Sequence, residues 1–264
     1  MLTIDQTAYF ERLAEVEEGH WWSLGLWRLA THWLDLALAG RRGLHALDIG
    51  CGAGGTIARL AARQEITTVL GLDPSPDALR LARTKIGPHI LKASAVDLPF
   101  EDDQFDLVTC FDVFQHLPAG ADRRAAAEAC RVLRPGGVAL FRTNHRGLGE
   151  PPTGVATYRL ADLVALLNDA GLVVRRATRA NCLPALAQEL RGRFHRDRQA
   201  HPAGGGLRIA LPSRPHNRIM LAVAAAEAAV AGRWRMRLPF GHSMMILGEN
   251  GVSPRRTRRS QRQE

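Results

Sequence analysis

Residues 44–55, Leu-His-Ala-Leu-Asp-Ile-Gly-Cys-Gly-Ala-Gly-Gly, constrain the fold more than any other part of the chain. Leu44, Ala46, Leu47 and Ile49 make the short apolar run expected of a strand buried on both faces of a parallel sheet. The run stops at Gly50, Gly52, Gly54 and Gly55, which read as a tight backbone turn. Ile57, Leu60 and Ala61 then share one face of a helix over 56–63. The unit is strand, glycine loop and helix. A ligand can lie against backbone that carries no Cβ, and the N–H groups opening the helix offer donors to a polar or anionic group.

The spacing Gly50-x-Gly52-x-x-Gly55 also fits the dinucleotide fingerprint, so the loop alone leaves the ligand open. Asp48 narrows the choice. At the end of the strand its carboxylate would repel a pyrophosphate, whereas an ammonium or sulfonium would be attracted by about 4 kcal/mol before desolvation. The second strand, 68–72, ends in Asp73, where a carboxylate can accept both hydroxyls of a ribose.

The 264 residues suffice for one large α/β domain with an addition, and 46% hydrophobic with 23% charged residues is a soluble globular composition. No apolar run approaches the roughly 18 residues of a membrane span, and the N-terminus lacks a secretory pattern, so a cytoplasmic protein is expected. Cys51, Cys110, Cys130 and Cys182 form no Cys-x-x-Cys pair, which supports neither a zinc site nor a disulfide framework. Much of the net charge of +9 lies at Arg255, Arg256, Arg258, Arg259 and Arg262. Residues 252–264 read as a disordered basic tail rather than a phosphate-binding arm, so no nucleic-acid partner is expected.

Residues 1–43 read as an N-terminal helical lid segment, with helices over 4–18 and 24–39 and Gly19-His20-Trp21-Trp22 between them. The tryptophans fit either a core role or a cap over the ligand. Beyond the second strand, Ser75 and Pro76 open a helix that turns Leu79, Ala82 and Ile86 inward. Further strands are expected over 89–95, 107–111, 138–143 and 172–178, with Asp122 capping the helix before the fifth. The last strand is placed at 243–247, which makes 181–240 an insertion with helices near 183–193 and over 217–231. Ligands of open α/β sheets bind outside the carboxyl ends of strands, so 112–117 and Asn144, His145 and Arg146 should face the reacting group. The loop 147–157 and the insertion, through Leu183, Leu186, Leu190, Ile219 and Leu221, are expected to cover an acceptor there.

Several of these pieces together resemble one family. Leu47-Asp48-Ile49-Gly50-Cys51-Gly52-Ala53-Gly54 with Gly71-Leu72-Asp73-Pro74-Ser75, followed by Asp97-Leu98-Pro99-Phe100, Phe105-Asp106-Leu107-Val108, Gln115-His116-Leu117 and Leu133-Arg134-Pro135-Gly136-Gly137, resembles the class I S-adenosylmethionine-dependent methyltransferases, in their small-molecule, type 11-like branch. The resemblance covers roughly 44–143. It implies an α/β fold: a Rossmann-like seven-stranded, mostly parallel sheet with helices on both faces, the domain running over 44–251. It also implies S-adenosyl-L-methionine as cofactor and methyl transfer to an oxygen, nitrogen or carbon of a small-molecule acceptor.

Carried over position by position, the resemblance puts Asp48, Gly50, Cys51, Gly52, Asp73, Pro74, Ser94, Ala95 and Phe111 at the cofactor and makes His116 and His145 catalytic candidates. A histidine at the place of His116 resembles one found across the superfamily whatever the acceptor, which weighs toward a structural role. Where relatives carry Gly-Asp-Ala, this chain has Ala93-Ser94-Ala95, and the lost carboxylate should weaken adenine binding by about 1 kcal/mol. Two other readings stay open at this level. A non-catalytic relative that only binds the nucleoside would look much the same, and a nicotinamide-dependent oxidoreductase would use the same loop without accounting for Asp48. No metal site is expected, and the sequence leaves the oligomeric state open.

Overall fold

The structure, a computed structural model, describes residues 6–144, 157–183, 212–233 and 236–251. Helices α1 (Gln6–Gly19) and α2 (Trp21–Ala37) lead into β1 (Leu44–Ile49) and α3 (Gly55–Ala61). Then come β2 (Ile66–Asp73), α4 (Pro76–Ile86), β3 (Ile90–Lys92), β4 (Phe105–Phe111) and a 3-10 turn at Phe114–His116. The second half runs α5 (Ala121–Arg131), β5 (Leu133–Asn144), α6 (Leu160–Asp169), β6 (Leu172–Ala180), α7 (Arg214–Arg233) and β7 (Ser243–Asn250).

The seven strands lie in the order β3-β2-β1-β4-β5-β7-β6, with β7 antiparallel to both β5 and β6 and the other pairings parallel. Strand order reverses between β1 and β4, so the crevice outside their carboxyl ends is the topological switch point. The expected sheet is present, last strand included.

Alternation along the strands sorts the core into two layers. Ala46, Leu107, Leu140 and Met245 face one way, onto α2, α3 and α7, while Leu47, Val108, Phe141 and Ile246 face the other, onto α5 and α6. This is why the strands read as continuous apolar runs: both faces are covered. Helix α2 contributes Leu26, Leu29, Trp33 and Leu34, each 2% exposed or less. At roughly 1.5–3 kcal/mol per fully buried large apolar side chain, this packing rather than intrinsic helix preference holds the segment in place.

Several boundaries differ from expectation, each for a local reason. Helix α2 starts at Trp21, not after the tryptophans, because His20 caps it: His20 Nδ1 accepts from Trp22 N at 3.1 Å. The helix before β5 is capped by Gly120 at φ 81°, and Asp122 sits inside its first turn, where its carboxylate accepts from Tyr158 Oη at 3.2 Å. Strand β3 ends at Lys92 because Ser94 and Asp97 pair across a tight turn instead.

Helix α7, from the insertion, lies against α2. A Cβ on Gly25 would stand 2.4 Å from Ala224 Cβ, and Trp33 Nε1 donates to Ala231 O at 3.3 Å, so the two backbones approach through small residues. Ala224, Ala228 and Ala231 are the buried face of α7, while Ile219 is 65% exposed. This part of the insertion builds a layer of the core. Leu186 and Leu190, the loop residues 145–156 with His145 and Arg146, and the tail 252–264 lie outside the described residues. No helix among the described residues is long and apolar enough to cross a membrane.

Candidate active site

A cavity of about 580 Å³ opens at the carboxyl ends of β1, β2, β4 and β5 and is roofed by α1. Its floor is the glycine loop. Gly50 N and Cys51 N both donate to Leu72 O, at 2.8 and 2.9 Å, and Gly52 N donates to Asp73 Oδ2 at 3.1 Å, so the end of β2 dictates the shape of the loop after β1. Two glycines are needed for different reasons. At Gly50 (φ +71°) a Cβ would meet Val113 Cγ2 at 2.2 Å, which is packing against the chain itself. At Gly52 (φ +51°) only Leu13 Cδ2 comes within reach, at 3.8 Å, so the space above it is open to a ligand.

Gly50, Cys51, Gly52, Asp73, Pro74, Ser94, Ala95, Phe111 and His116 all line this cavity. Asp73 accepts from Gly52 N and, at 2.8 Å, from Ser75 N. Two of the roughly four acceptor directions of its carboxylate are thereby used, leaving two for ligand hydroxyls. Burial raises its pKa despite those bonds. Ser94 Oγ accepts from Val96 N at 3.4 Å, and Asp97 is exposed and off the cavity, its amide shaping the turn through Ser94 O. Asp97 therefore does not replace the missing carboxylate.

Asp48 stands elsewhere than the sequence suggested. Its carboxyl is 2% exposed, lies behind the cavity wall rather than on it, and accepts from Thr109 Oγ1 at 2.6 Å. The strands explain this, since Asp48 is directly opposite Thr109 in the β1–β4 ladder. Burial pushes its pKa up to about 7; the Thr109 bond and Arg142 pull the other way, and Glu17 and Asp73 add to the rise. A contact ion pair between Asp48 and a ligand cation does not follow from this geometry. Burial likewise raises the Cys51 and Cys110 thiols, so neither is an activated nucleophile.

At the β4–β5 side the wall is polar. Arg142, 8% exposed, donates from Nε to Asp112 Oδ2 at 2.9 Å and pairs with it again through Nη2. Its guanidinium lies over the rings of Phe111 and Trp22, 4.8 and 5.6 Å from their centroids. Asp112 holds φ 59°, an uncommon conformation for a non-glycine residue, found at the rim where β4 turns into the cavity. Gln115 Oε1 accepts from Asn144 N at 3.1 Å and Thr143 Oγ1 at 3.3 Å, which ties the 3-10 turn carrying His116 to the end of β5.

The sequence reads as a lid segment over 1–43 but does not single out the residues of α1 that face the cavity. Tyr9, Leu13 and Glu17 recur at four-residue steps, so α1 turns one face to the cavity, and an acidic residue on that face was the available signal. Among the described tryptophans only Trp22 lines the cavity, while Trp21 N is held by Asn217 Oδ1 at 2.9 Å.

Residues 47–141 match the family described as "Methyltransferase domain". The chain is 31% identical to a ubiquinone biosynthesis O-methyltransferase of Paracidovorax citrulli over 53% of this chain and 62% of that one. It is 34% identical to a 2-phytyl-1,4-naphtoquinone methyltransferase of Trichormus variabilis over 55% of this chain and 67% of that one. It spans about half to two thirds of the length of the curated relatives it matches. In fold it is similar to phosphoethanolamine N-methyltransferase 2 of Haemonchus contortus solved with S-adenosyl-L-methionine, at TM-score 0.54 and 18% identity, over 85% of this chain and 52% of that one. With the methyltransferase-domain match and a relative 34% identical of which the chain covers 67%, the chain belongs to the class I S-adenosylmethionine-dependent methyltransferases.

Proposed function

We propose that the protein transfers a methyl group from S-adenosyl-L-methionine to a small-molecule acceptor bound at the β4–β5 side of the cavity. The observation that carries this reading is the division of one cavity into two chemically different ends. Gly52, Asp73, Ser94 and Ala95 cluster outside β1, β2 and β3, whereas His116, Gln115, Arg142 and Asn144 stand outside β4 and β5.

The first end fits the cofactor on its own geometry. The open face of Gly52 lets a chain lie on the backbone, and the two unused acceptor directions of Asp73 suit a ribose diol. Ser94 and the buried Ala95 leave a shallow, uncharged place for a base, consistent with weaker adenine recognition than a carboxylate would give. Bound S-adenosyl-L-methionine supplies an electrophilic methyl on a sulfonium. The chain's contribution is to hold an acceptor atom in line with it and to exclude water, which α1 and Trp22 do from above.

The roof contributes Tyr9, Phe10 and Leu13, and the opposite wall Phe111, Val113 and Leu117, so the acceptor space favours an apolar, ring-shaped molecule with polar substituents turned to Asn144 and Arg142. Both named relatives carry quinone chemistry in their names, which supports a quinol or phenol class. A cavity of this size, roofed by α1, supports a small acceptor rather than nucleic acid, and buried free thiols fit a cytoplasmic setting.

Methyl-tritiated S-adenosyl-L-methionine offered with a panel of hydroquinones and phenols should give label in the organic extract, and Asp73→Ala should cut cofactor affinity by about 2–4 kcal/mol. Label transfer to no member of the panel, with intact binding of S-adenosyl-L-homocysteine, would move the acceptor to another chemical class. Absence of that binding would remove the reading altogether.

A further inference from the structure

Glu17 lines this cavity with a buried carboxylate oxygen, Oε2, that the protein itself leaves without a partner among the described residues. It reaches from α1 over the glycine loop, 2.5 Å from where a Cβ on Gly55 would stand, so the absence of a side chain at residue 55 is what admits the carboxylate. Three cations lie nearby, and each is engaged elsewhere. Arg59 Nη2 donates to the backbone Glu17 O at 2.6 Å, Lys85 pairs with Glu18, and Arg142 pairs with Asp112. A buried carboxylate oxygen without a donor is costly, and such groups in native structures call for an explanation.

We infer that Glu17 is the receptor for a primary ammonium, the α-ammonium at the amino-acid end of the cofactor. The inference rests on the cofactor reading above and assigns one more contact within it. Along the sheet, Asp73 and Ser94 mark the nucleoside end outside β2 and β3, and His116 and Asn144 mark the acceptor end outside β4 and β5. The amino-acid end then falls on the glycine loop between them, beneath Glu17. The chemistry selects the ammonium over the sulfonium, because Oε2 needs an N–H donor and a sulfonium has none. Burial raises the Glu17 pKa, with Arg142, Arg59 and Lys85 opposing the rise and Asp112 adding to it, and an arriving cation would oppose the rise further.

The test compares S-adenosyl-L-homocysteine with 5′-deoxy-5′-methylthioadenosine, which keeps the nucleoside and thioether and lacks the amino-acid end. By titration calorimetry, Glu17→Gln should bind S-adenosyl-L-homocysteine about tenfold or more weakly and methylthioadenosine within about twofold of the natural protein. The deaminated analogue of S-adenosyl-L-homocysteine gives an arm that needs no variant: the natural protein should prefer the aminated ligand by about tenfold, and Glu17→Gln should lose that preference. Equal weakening toward both ligands, or an unchanged affinity for S-adenosyl-L-homocysteine, would overturn the assignment while leaving the cofactor in place. Failure of the natural protein to bind either ligand would instead overturn the cofactor reading, and this inference with it.

Discussion

Asn217 and Trp21, far apart in sequence, meet at the joint of the cavity roof: Asn217 Oδ1 accepts from Trp21 N at 2.9 Å, while Asn217 Nδ2 donates to Gly19 O at 2.8 Å. One amide thus grips the backbone on both sides of His20, the residue between α1 and α2. Because α1 supplies the roof, the insertion helix α7 acts on the cavity without lining it. Asn217→Ala should strip two part-buried backbone groups of their partners, at roughly 1–2 kcal/mol. Amide hydrogen exchange over 9–22 should accelerate and S-adenosyl-L-homocysteine affinity should fall about fivefold, since part of the binding free energy then goes into ordering the roof. Unchanged exchange would mean that α1 is held by its side-chain contacts alone.

The contact between Gly25 and Ala224 predicts an inverted glycine effect. In an exposed helix, Gly→Ala stabilises by about 1 kcal/mol. Here the added methyl would lie 2.4 Å from Ala224 Cβ, so the helices must separate. Gly25→Ala should destabilise by roughly 1–3 kcal/mol in urea melts, and adding Ala224→Gly should recover most of that loss. Additive losses in the double variant would show that the two positions do not touch.

Asp48 makes stability depend on pH in a stated direction. Its pKa rises from an ordinary 3.8 to about 7 on folding. Below the lower value both states are neutral; between the two values the unfolded chain ionises while the folded one resists. Stability contributed by the neutral carboxyl is therefore lost as pH rises toward 7, by up to roughly 4 kcal/mol. Asp48→Asn keeps an oxygen for Thr109 and does not titrate. Its stability relative to the natural protein should grow between pH 4.5 and 7 and level off above. A difference that stays flat across that range would place the ionised carboxylate in the folded state throughout.

How far the residues announced the fold differs between the cofactor end and the acceptor end. The glycine loop and Asp73 were legible because they are local: strand, turn and helix follow each other in the chain, and spacing fixes geometry. The orientation of Asp48 was not, because it depends on Thr109 across the β1–β4 ladder, a pairing that register alone determines. Arg142 and Asp112 escaped for the same reason, as their meeting joins the ends of two strands. A helical lid over 1–43 is legible, but its cavity-facing residues are not, because α1 carries no motif and only packing shows which side of it turns inward. Trp21 and Trp22, expected between the two helices, fall inside α2 because the side chain of His20 caps it, a contact that no spacing announces.

His116 gives the last prediction, and the tautomer of its neutral ring follows from its neighbours. Asn144 N can only donate, so the Gln115 atom facing it at 3.1 Å is the carbonyl oxygen, and the amide nitrogen of Gln115 must point the other way. That nitrogen is 3.3 Å from His116 Nε2. It donates there, the ring lone pair on Nε2 is occupied, and the ring proton sits on Nδ1. In the neutral ring His116 thus offers a donor rather than a ready base. A general base typically contributes a factor of about 100 to 10,000, whereas one neutral hydrogen bond is worth about tenfold. With a true acceptor, His116→Phe should therefore lower kcat by about tenfold, His116→Asn, which keeps a donor, should stay within about threefold, and both should retain the shape of the kcat/KM profile against pH. A loss of a hundredfold or more in both variants, together with disappearance of the acidic limb, would show that Gln115 releases the ring and that His116 removes the acceptor's proton.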